Sequence, residues 1–267
     1  MPITSDIEDA VATIVFDRVD KHNALDPDHM MDLRRHLTQA SADPSVRVIV
    51  LTGKGEKAFC AGADLTAPRE GQASLAEAVT LSLDESAERG LYVRLLDLSN
   101  LSIRKPLIAA VNGYCLGAGM EIALQCDIVL ASTTASFGLP EVMIASLPGG
   151  NGVPNLLRAI PRAVAMRMLL TGGRIDAERA LAVGLVSDVF APVEFADKVR
   201  AIARRVAEGG PVAVQLVKML AQHSADMSPS QSWQLTELAW GVLTESEDRR
   251  EGRAAFGEKR KPHYRGR

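Results

Sequence analysis

Apolar positions in the first half of the chain fall into two alternating rhythms. AVATIVFD at 10–17 is short and β-branched, and VRVIVLTG at 46–53 is an apolar run closing on glycine; both predict strands. Between them Asp26 is placed as an N-cap before Pro27, and Met30, Leu33, Leu37 and Ala40 recur at helical spacing. KGEKAFCAGADL at 54–65 reads as a loop, and a long helical region follows from about Ser74 to Leu101, broken near Gly90. PLIAAVNG at 106–113 and CDIVLAS at 126–132 predict two further strands, with a glycine loop opening a short helix between them. Strand, crossover helix and strand in repetition predict an α/β fold with a largely parallel sheet.

From about residue 150 the rhythm becomes helical, over 161–171, 176–183, 193–208, 212–223 and 231–246. Leu235, Leu238, Ala239 and Val242 mark one face of the last helix, and GLVSDVF at 184–190 is the clear strand of this half. There is no low-complexity linker and no internal repeat. The expectation is one functional unit, an α/β core over 1–195 with a helical C-terminal section over 196–267.

Composition narrows the function classes. The 267 residues are 47% apolar and 24% charged with a net charge of -3, which suits a soluble domain and argues against a nucleic-acid binder. The exception is the basic end, with Arg249, Arg250, Arg253, Lys259, Arg260, Lys261, Arg265 and Arg267. It reads either as a solvated helix or as a contact for an anionic ligand. Cys60, Cys115 and Cys126 lack metal or redox spacing and read as buried small hydrophobes in a reducing compartment. The histidines form no HxxxH pair, so no metal site is expected. Asp6, Glu8 and Asp9 stand where a signal peptide needs basic residues, and no apolar run reaches membrane-spanning length, so a cytoplasmic protein is expected.

Three glycine-bearing turns follow strand-like runs: Cys60 to Asp64, Gly117-Ala118-Gly119, and Pro148-Gly149-Gly150. The stretch NGYCLGAGME at 112–121 is neither a P-loop nor a dinucleotide fingerprint. Small residues before a helix expose N–H groups that lack intrahelical partners, and two such amides could hold a carbonyl oxygen as it gains charge. Such turns equally serve packing. Glu121 closes the glycine stretch and Glu141 follows Pro140. They read either as a pair of acids with separated proton affinities or as a helix-terminal acid and a surface acid.

At these residues the chain resembles the crotonase (enoyl-CoA hydratase/isomerase) superfamily. KHNAL at 21–25, KAFCAGADL at 57–65, KPLIAAVNGYCLGAGMEIALQCDIVLAS at 105–132, ASFGLPEVMIASLPGGNG at 135–152 and AFGEKRKP at 255–262 match its motifs in order across nearly the whole chain. The resemblance implies a repeated β-β-α spiral core and a C-terminal section that trimerises and covers CoA. It implies the amides of Ala63 and Ala118 as an oxyanion hole, and Glu121 and Glu141 as the acids that hydrate a 2-enoyl-CoA. Ala24, Lys57 and Ala61 match CoA-lining positions, and Phe256 and Lys259 match tail positions that reach CoA from a neighbouring subunit. An acyl-CoA substrate, a homo-oligomer (trimer or dimer of trimers) and no cofactor beyond the substrate's own coenzyme A are implied.

Departures from the family pattern are Ala118 inside the usual glycine run, Thr66 where a lysine is frequent, and Asn151 within P-G-x-G-G. The donor at Ala118 requires negative φ there. Asn151 adds a polar group near the pocket or is a tolerated turn residue. Rival readings are a carnitinyl-CoA dehydratase-type or Δ3-Δ2 isomerase reaction on the same fold, and an acyl-CoA or RNA binder without turnover. The segment 66–102 should line the acyl group, where Arg89, Tyr92 and Arg94 are either polar contacts or helix-surface positions.

Overall fold

The computed structural model describes residues 3–67, 75–88 and 92–267. The chain opens with a hairpin of β1 (Ile3–Glu8) and β2 (Val11–Phe16), then α1 (Pro27–Ala42), β3 (Val48–Gly53) and β4 (Ala58–Cys60). Short helices α2 (Leu75–Thr80) and α3 (Leu83–Glu88) precede β5 (Leu107–Val111), β6 (Tyr114–Leu116), α4 (Ala118–Ala123), β7 (Ile128–Ser132) and β8 (Ser136–Gly138). Next come α5 (Gly152–Ala159), α6 (Arg162–Thr171), β9 (Arg174–Asp176), α7 (Ala177–Ala182), β10 (Asp188–Phe190) and α8 (Pro192–Ala207). The chain ends with α9 (Pro211–Ser224), α10 (Pro229–Glu245) and α11 (Glu247–Gly257).

Two sheets result. The larger has the order β1-β2-β3-β5-β7-β10 and is parallel from β2 onward; the smaller has the order β4-β6-β8-β9. The chain alternates between them, so β3 passes into β4, β5 into β6 and β7 into β8, which is the spiral the family resemblance implies. Asn112 fixes one of these steps. Its amide donates to the carbonyls of Gly53 (2.8 Å) and Gly55 (2.6 Å), tying the end of β5 to the end of β3.

Alternate residues of β3 feed two apolar layers. Ile49 and Leu51 join Phe16, Leu33, Leu37, Phe59 and Val111 on one face, while Val48 and Val50 meet Phe195, Val199 and Ala203 of α8 on the other. A strand covered on both faces has no polar side to display, which is why 46–53 reads as an unbroken apolar run. The boundary drawn at 195 passes through α8. Buried Lys218 of α9 then ties the helical section to the sheet through Asp127 (2.7 Å) and the Lys105 carbonyl (2.9 Å).

The predicted helices near 161–171, 176–183, 193–208, 212–223 and 231–246 correspond to α6 to α10. Four readings change. The helical stretch over 74–101 is a set of short pieces, ending in 3-10 turns at Tyr92–Leu95 and Ser99–Leu101; its break at Gly90, and Arg89, lie outside the described residues. The 54–65 loop contains β4, and β6, β8 and β9 are three-residue strands, too short to show a period. Of GLVSDVF, Asp188–Phe190 forms the strand. Helix α5 went unpredicted, because a Gly-Asn-Gly start reads as a turn.

Cys60 and Cys115 are buried and Cys126 is half-buried; desolvation pushes the Cys60 thiol up to about 12, leaving it inert. Among the described residues no helix is long and apolar enough to cross a membrane.

Candidate active site

The first candidate donor, the amide of Ala63, lies in the turn after β4. Leu25 and Ala63 form an isolated parallel bridge, with Leu25 N–H on the Gly62 carbonyl (2.9 Å) and Asp64 N–H on the Leu25 carbonyl (2.8 Å). In a parallel bridge these bonds involve the residues flanking position 63, so the N–H of Ala63 itself points to the opposite side. The turn is anchored by Asp64, which is nearly buried and pairs with Arg18 (2.8 Å); hydrogen bonds from Thr66 hold its carboxyl down at about 2. Arg18 also donates to the Ala24 carbonyl (3.2 Å), so one guanidinium joins both sides of the bridge.

The second candidate donor, the amide of Ala118, lies in the glycine stretch. Gly117 adopts φ 51° and ψ -127°, and Ala118 starts α4 with its N–H lacking an intrahelical acceptor. Ala118 is helical and outside the set of positive-φ residues, which meets the condition set by the sequence. A methyl on Gly62 would stand 3.6 Å from the Ala118 nitrogen, so the two turns abut. Gly119 lets α4 lie on β4, since a Cβ there would come 2.3 Å from the Cys60 carbonyl oxygen.

Glu121, one turn into α4, is 2% exposed. Its Oε1 accepts the N–H groups of Gly150 (2.7 Å) and Gly152 (3.1 Å). Glu141 begins a 3-10 helix at Glu141–Ile144 and is half-buried, and its Oε2 is buried with no hydrogen-bond partner among the described residues. Its Oε1 lies 3.2 Å from where a Gly117 side chain would begin, so Glu141 faces the turn that carries the second amide. Burial foremost, and then the charge of Glu141, push the Glu121 carboxyl up to about 7 against the pull of the two amides. Burial raises Glu141 as well. Both carboxyls therefore hold their protons to higher pH than an ordinary glutamate does.

A raised proton affinity in the fold is also a stability statement. Folded Glu121 holds its proton up to about 7 where an ordinary glutamate releases it at 4.5, so its ionisation opposes folding. The penalty is absent below 4.5, complete above about 7, and worth about 3 kcal/mol at most. Glu121→Gln keeps an oxygen for the two amides. It is expected to melt higher than wild type at pH 8 and with it at pH 4, by calorimetry. Equal melting temperatures at pH 8 would show that the carboxyl is not raised.

Among the CoA-lining candidates, Ala24 and Ala61 lie beside the Ala63 bridge, where Ala61 N–H bonds to the His22 carbonyl (3.0 Å). Lys57 is exposed just before β4. Lys21 reaches Thr66 Oγ1 (2.9 Å), bringing an ammonium to the position where the family often has lysine. Phe256 and Lys259 are exposed at the end of α11. The tail beyond them docks through the Tyr264 carbonyl on Arg47 (2.7 Å), just before β3 and at the opposite end of that strand from the turns. The structure therefore brings Ala24, Ala61, Ala63, Ala118, Glu121 and Glu141 together, and leaves Phe256 and Lys259 away from them in the same chain. Arg94 is half-buried and donates to the Leu81 carbonyl (2.8 Å) and to Ser86 Oγ (2.7 Å), tying its 3-10 turn to the start of α3. Two residues of the basic end are ion-paired: Arg260 with Glu251 and Glu258, and Arg267 with Glu247. A groove of about 1140 Å³ lies on the α8 side of the larger sheet, lined by Thr13, Thr52, Asn112 and Phe195; none of the four candidates Ala63, Ala118, Glu121 and Glu141 borders it.

The sequence reading missed the amides of Gly150 and Gly152 and the Arg18–Asp64 anchor. The PGGNG run was visible as a signal for the first, while an ion pair spanning 46 positions leaves none.

The model of the enoyl-CoA hydratase/isomerase family matches residues 6–267. The chain is 45% identical over 266 residues, all of both chains, to (E)-benzylidenesuccinyl-CoA hydratase of Thauera aromatica. It is 36% identical to carnitinyl-CoA dehydratase of Proteus mirabilis, covering 97% of this chain and 96% of that one. A crystal structure of enoyl-CoA hydratase from Bacillus anthracis superposes with a TM-score of 0.88 at 34% identity, covering both chains completely. The chain belongs to the enoyl-CoA hydratase/isomerase family of the crotonase superfamily. It is an enzyme of the hydratase and dehydratase kind that works on CoA thioesters.

Proposed function

We propose that the protein adds water across the 2,3-double bond of 2-trans-enoyl-CoA thioesters to give 3-hydroxyacyl-CoA. The observation that carries this is the placement of buried Glu121 and half-buried Glu141, both with raised proton affinity, beside the turns of Ala63 and Ala118. The amides of Ala63 and Ala118 take the thioester oxygen, which draws electron density from C3. Glu121 removes a proton from water as its oxygen bonds to C3, and the electron pair of the double bond moves onto the thioester oxygen as an enolate. Collapse of the enolate takes the proton from Glu141 at C2, and one proton then passes from Glu121 back to Glu141. Each amide donor is worth about 3–4 kcal/mol in such transition states. No metal or redox group enters, and CoA is part of the substrate.

Ala24, Lys57 and Ala61 hold the nucleotide in this reading, with Phe256 and Lys259 supplied by a second copy. The apolar surface supports a homo-oligomer: Leu238 and Val242 of the predicted α10 face are 70% and 59% exposed, beside Trp233 and Trp240. Exposed Val142, Met143, Ile144 and Leu147 follow Glu141 and offer an apolar acyl wall. With the benzylidenesuccinyl-CoA relative, they favour a bulky, aryl-bearing enoyl group over a short linear one.

The test is a panel of crotonyl-CoA, longer linear enoyl-CoAs and (E)-benzylidenesuccinyl-CoA, followed by loss of conjugated-thioester absorbance. Hydration is expected, with the highest kcat/KM on the aryl substrate. Absence of water addition to every member would overturn the proposal.

A further inference from the structure

We infer that Asn151 is a positioning residue for the proposed hydration: its left-handed backbone turns two amides onto one oxygen of Glu121. The inference rests on the functional reading above for its consequence and on geometry for its cause. The N–H groups of Gly150 and Gly152, two positions apart, meet at Oε1 of Glu121 at 2.7 and 3.1 Å. Convergence of such a pair on one anion forms a backbone nest, in which a left-handed residue turns the second N–H back toward the first. Asn151 is that residue, at φ 67° and ψ 18°.

The turn has to be made at this position. A Cβ at Gly150 would come 2.7 Å from Leu96 Cβ, and one at Gly152 would come 2.8 Å from both Glu121 Oε1 and Pro148 Cβ. The segment is thus pressed between Leu96, Pro148 and the catalytic carboxylate, with no slack to redistribute. Asparagine enters the left-handed region at lower cost than other residues with a Cβ. Its side chain makes no cap bond to α5 and is exposed, while its carbonyl accepts Asn155 N–H (3.1 Å) to start that helix. The residue that departs from the family glycine therefore acts through its backbone.

Loss of the nest is readable at Glu121. The two amides favour its ionised form, and Glu141 is the charged group that bears on it from the facing 3-10 helix; Leu96, Pro148 and Gln125, packed around it, are neutral. Asn151→Ala and Asn151→Gly would be prepared with carboxyl-labelled glutamate, and Glu121 titrated by NMR, its signal identified by its loss in Glu121→Gln. Position 151 is an exposed turn, so both variants fold, which calorimetry verifies.

The alanine variant is expected to raise the Glu121 midpoint by about one pH unit. It should lower kcat about tenfold on an accepted enoyl-CoA with KM unchanged. The glycine variant should keep wild-type values of both. An unmoved midpoint in the alanine variant overturns the inference. So does an equal shift in the glycine variant, which would assign the effect to the asparagine side chain. If wild type hydrates nothing in the panel, the functional proposal falls, while the titration still decides the role of Asn151.

Discussion

Glu141→Gln lowers kcat by about a hundred- to ten-thousand-fold, the range that a positioned proton donor supplies. The site explains why the loss should be so large and so local. Glu141 Oε2 is buried with no partner among the described residues, so it holds no part of the fold together and is free for a reacting molecule. Glutamine fills the same volume and can still hydrogen-bond a water, but its amide cannot give a proton to C2. Removing the charge also lowers the Glu121 proton affinity, since Glu141 contributes to holding that proton. Glu121 is then ionised at lower pH, and its basicity falls with it. Binding of a saturated acyl-CoA should be nearly unchanged by titration calorimetry, because the CoA-lining candidates lie around Ala24 and Ala61. Turnover that survives the substitution would remove Glu141 from the proton path. Turnover and binding lost together would make it a determinant of pocket shape instead.

How far such a site can be read in advance depends on which contacts are local. The helix beginning at Asp26-Pro27 was legible because its cap, its proline and its apolar stripe lie within one segment, and Asp26 does accept the His29 N–H (3.0 Å). The buried strand at Val48–Gly53 was legible because burial on both faces leaves an apolar run. The smaller sheet was not. Its strands are three residues long, and Ala58–Cys60 holds its place through pairing with Tyr114–Leu116, more than 50 positions away. The two amide positions and both acids came from the family pattern. The reason for their arrangement came from the structure: the bridge at Leu25 that leaves Ala63 N–H free, and the nest that fixes Glu121. Both depend on long-range hydrogen bonds from backbone N–H groups, whose acceptors no residue type advertises. The glycine stretch itself divides into separate jobs. Gly113 lies against the Lys57 carbonyl and Gly119 against that of Cys60, so the two clear either end of β4, while Gly117 makes the turn that delivers Ala118.

That division makes Gly119→Ala the second large effect. In an exposed helix the substitution would gain about 1 kcal/mol of helix propensity. In α4 the added methyl would come 2.3 Å from the Cys60 carbonyl oxygen, 2.7 Å from Cys60 Cβ and 3.0 Å from the Cys60 carbonyl carbon. Two of these atoms are backbone, so no rotamer change relieves the contact, and overpacking of this kind typically costs about 1–3 kcal/mol. The clash outweighs the propensity, and relief requires α4 and β4 to move apart. Residue 118 opens the helix on one side of that contact, and residues 61–63 continue the strand on the other. Moving them apart separates the amides of Ala63 and Ala118, and losing one such donor costs about a hundred- to a thousand-fold in kcat. The variant should therefore melt lower in calorimetry and hydrate more slowly. It should also fail to shift the absorbance of a bound conjugated enoyl thioester, which reports carbonyl polarisation directly. Ala118→Gly is the control: it retains the N–H and adds no atom at the contact, so the absorbance shift should persist. A Gly119→Ala protein that is destabilised yet keeps wild-type turnover and the full shift would mean that the two amides do not act together on one oxygen.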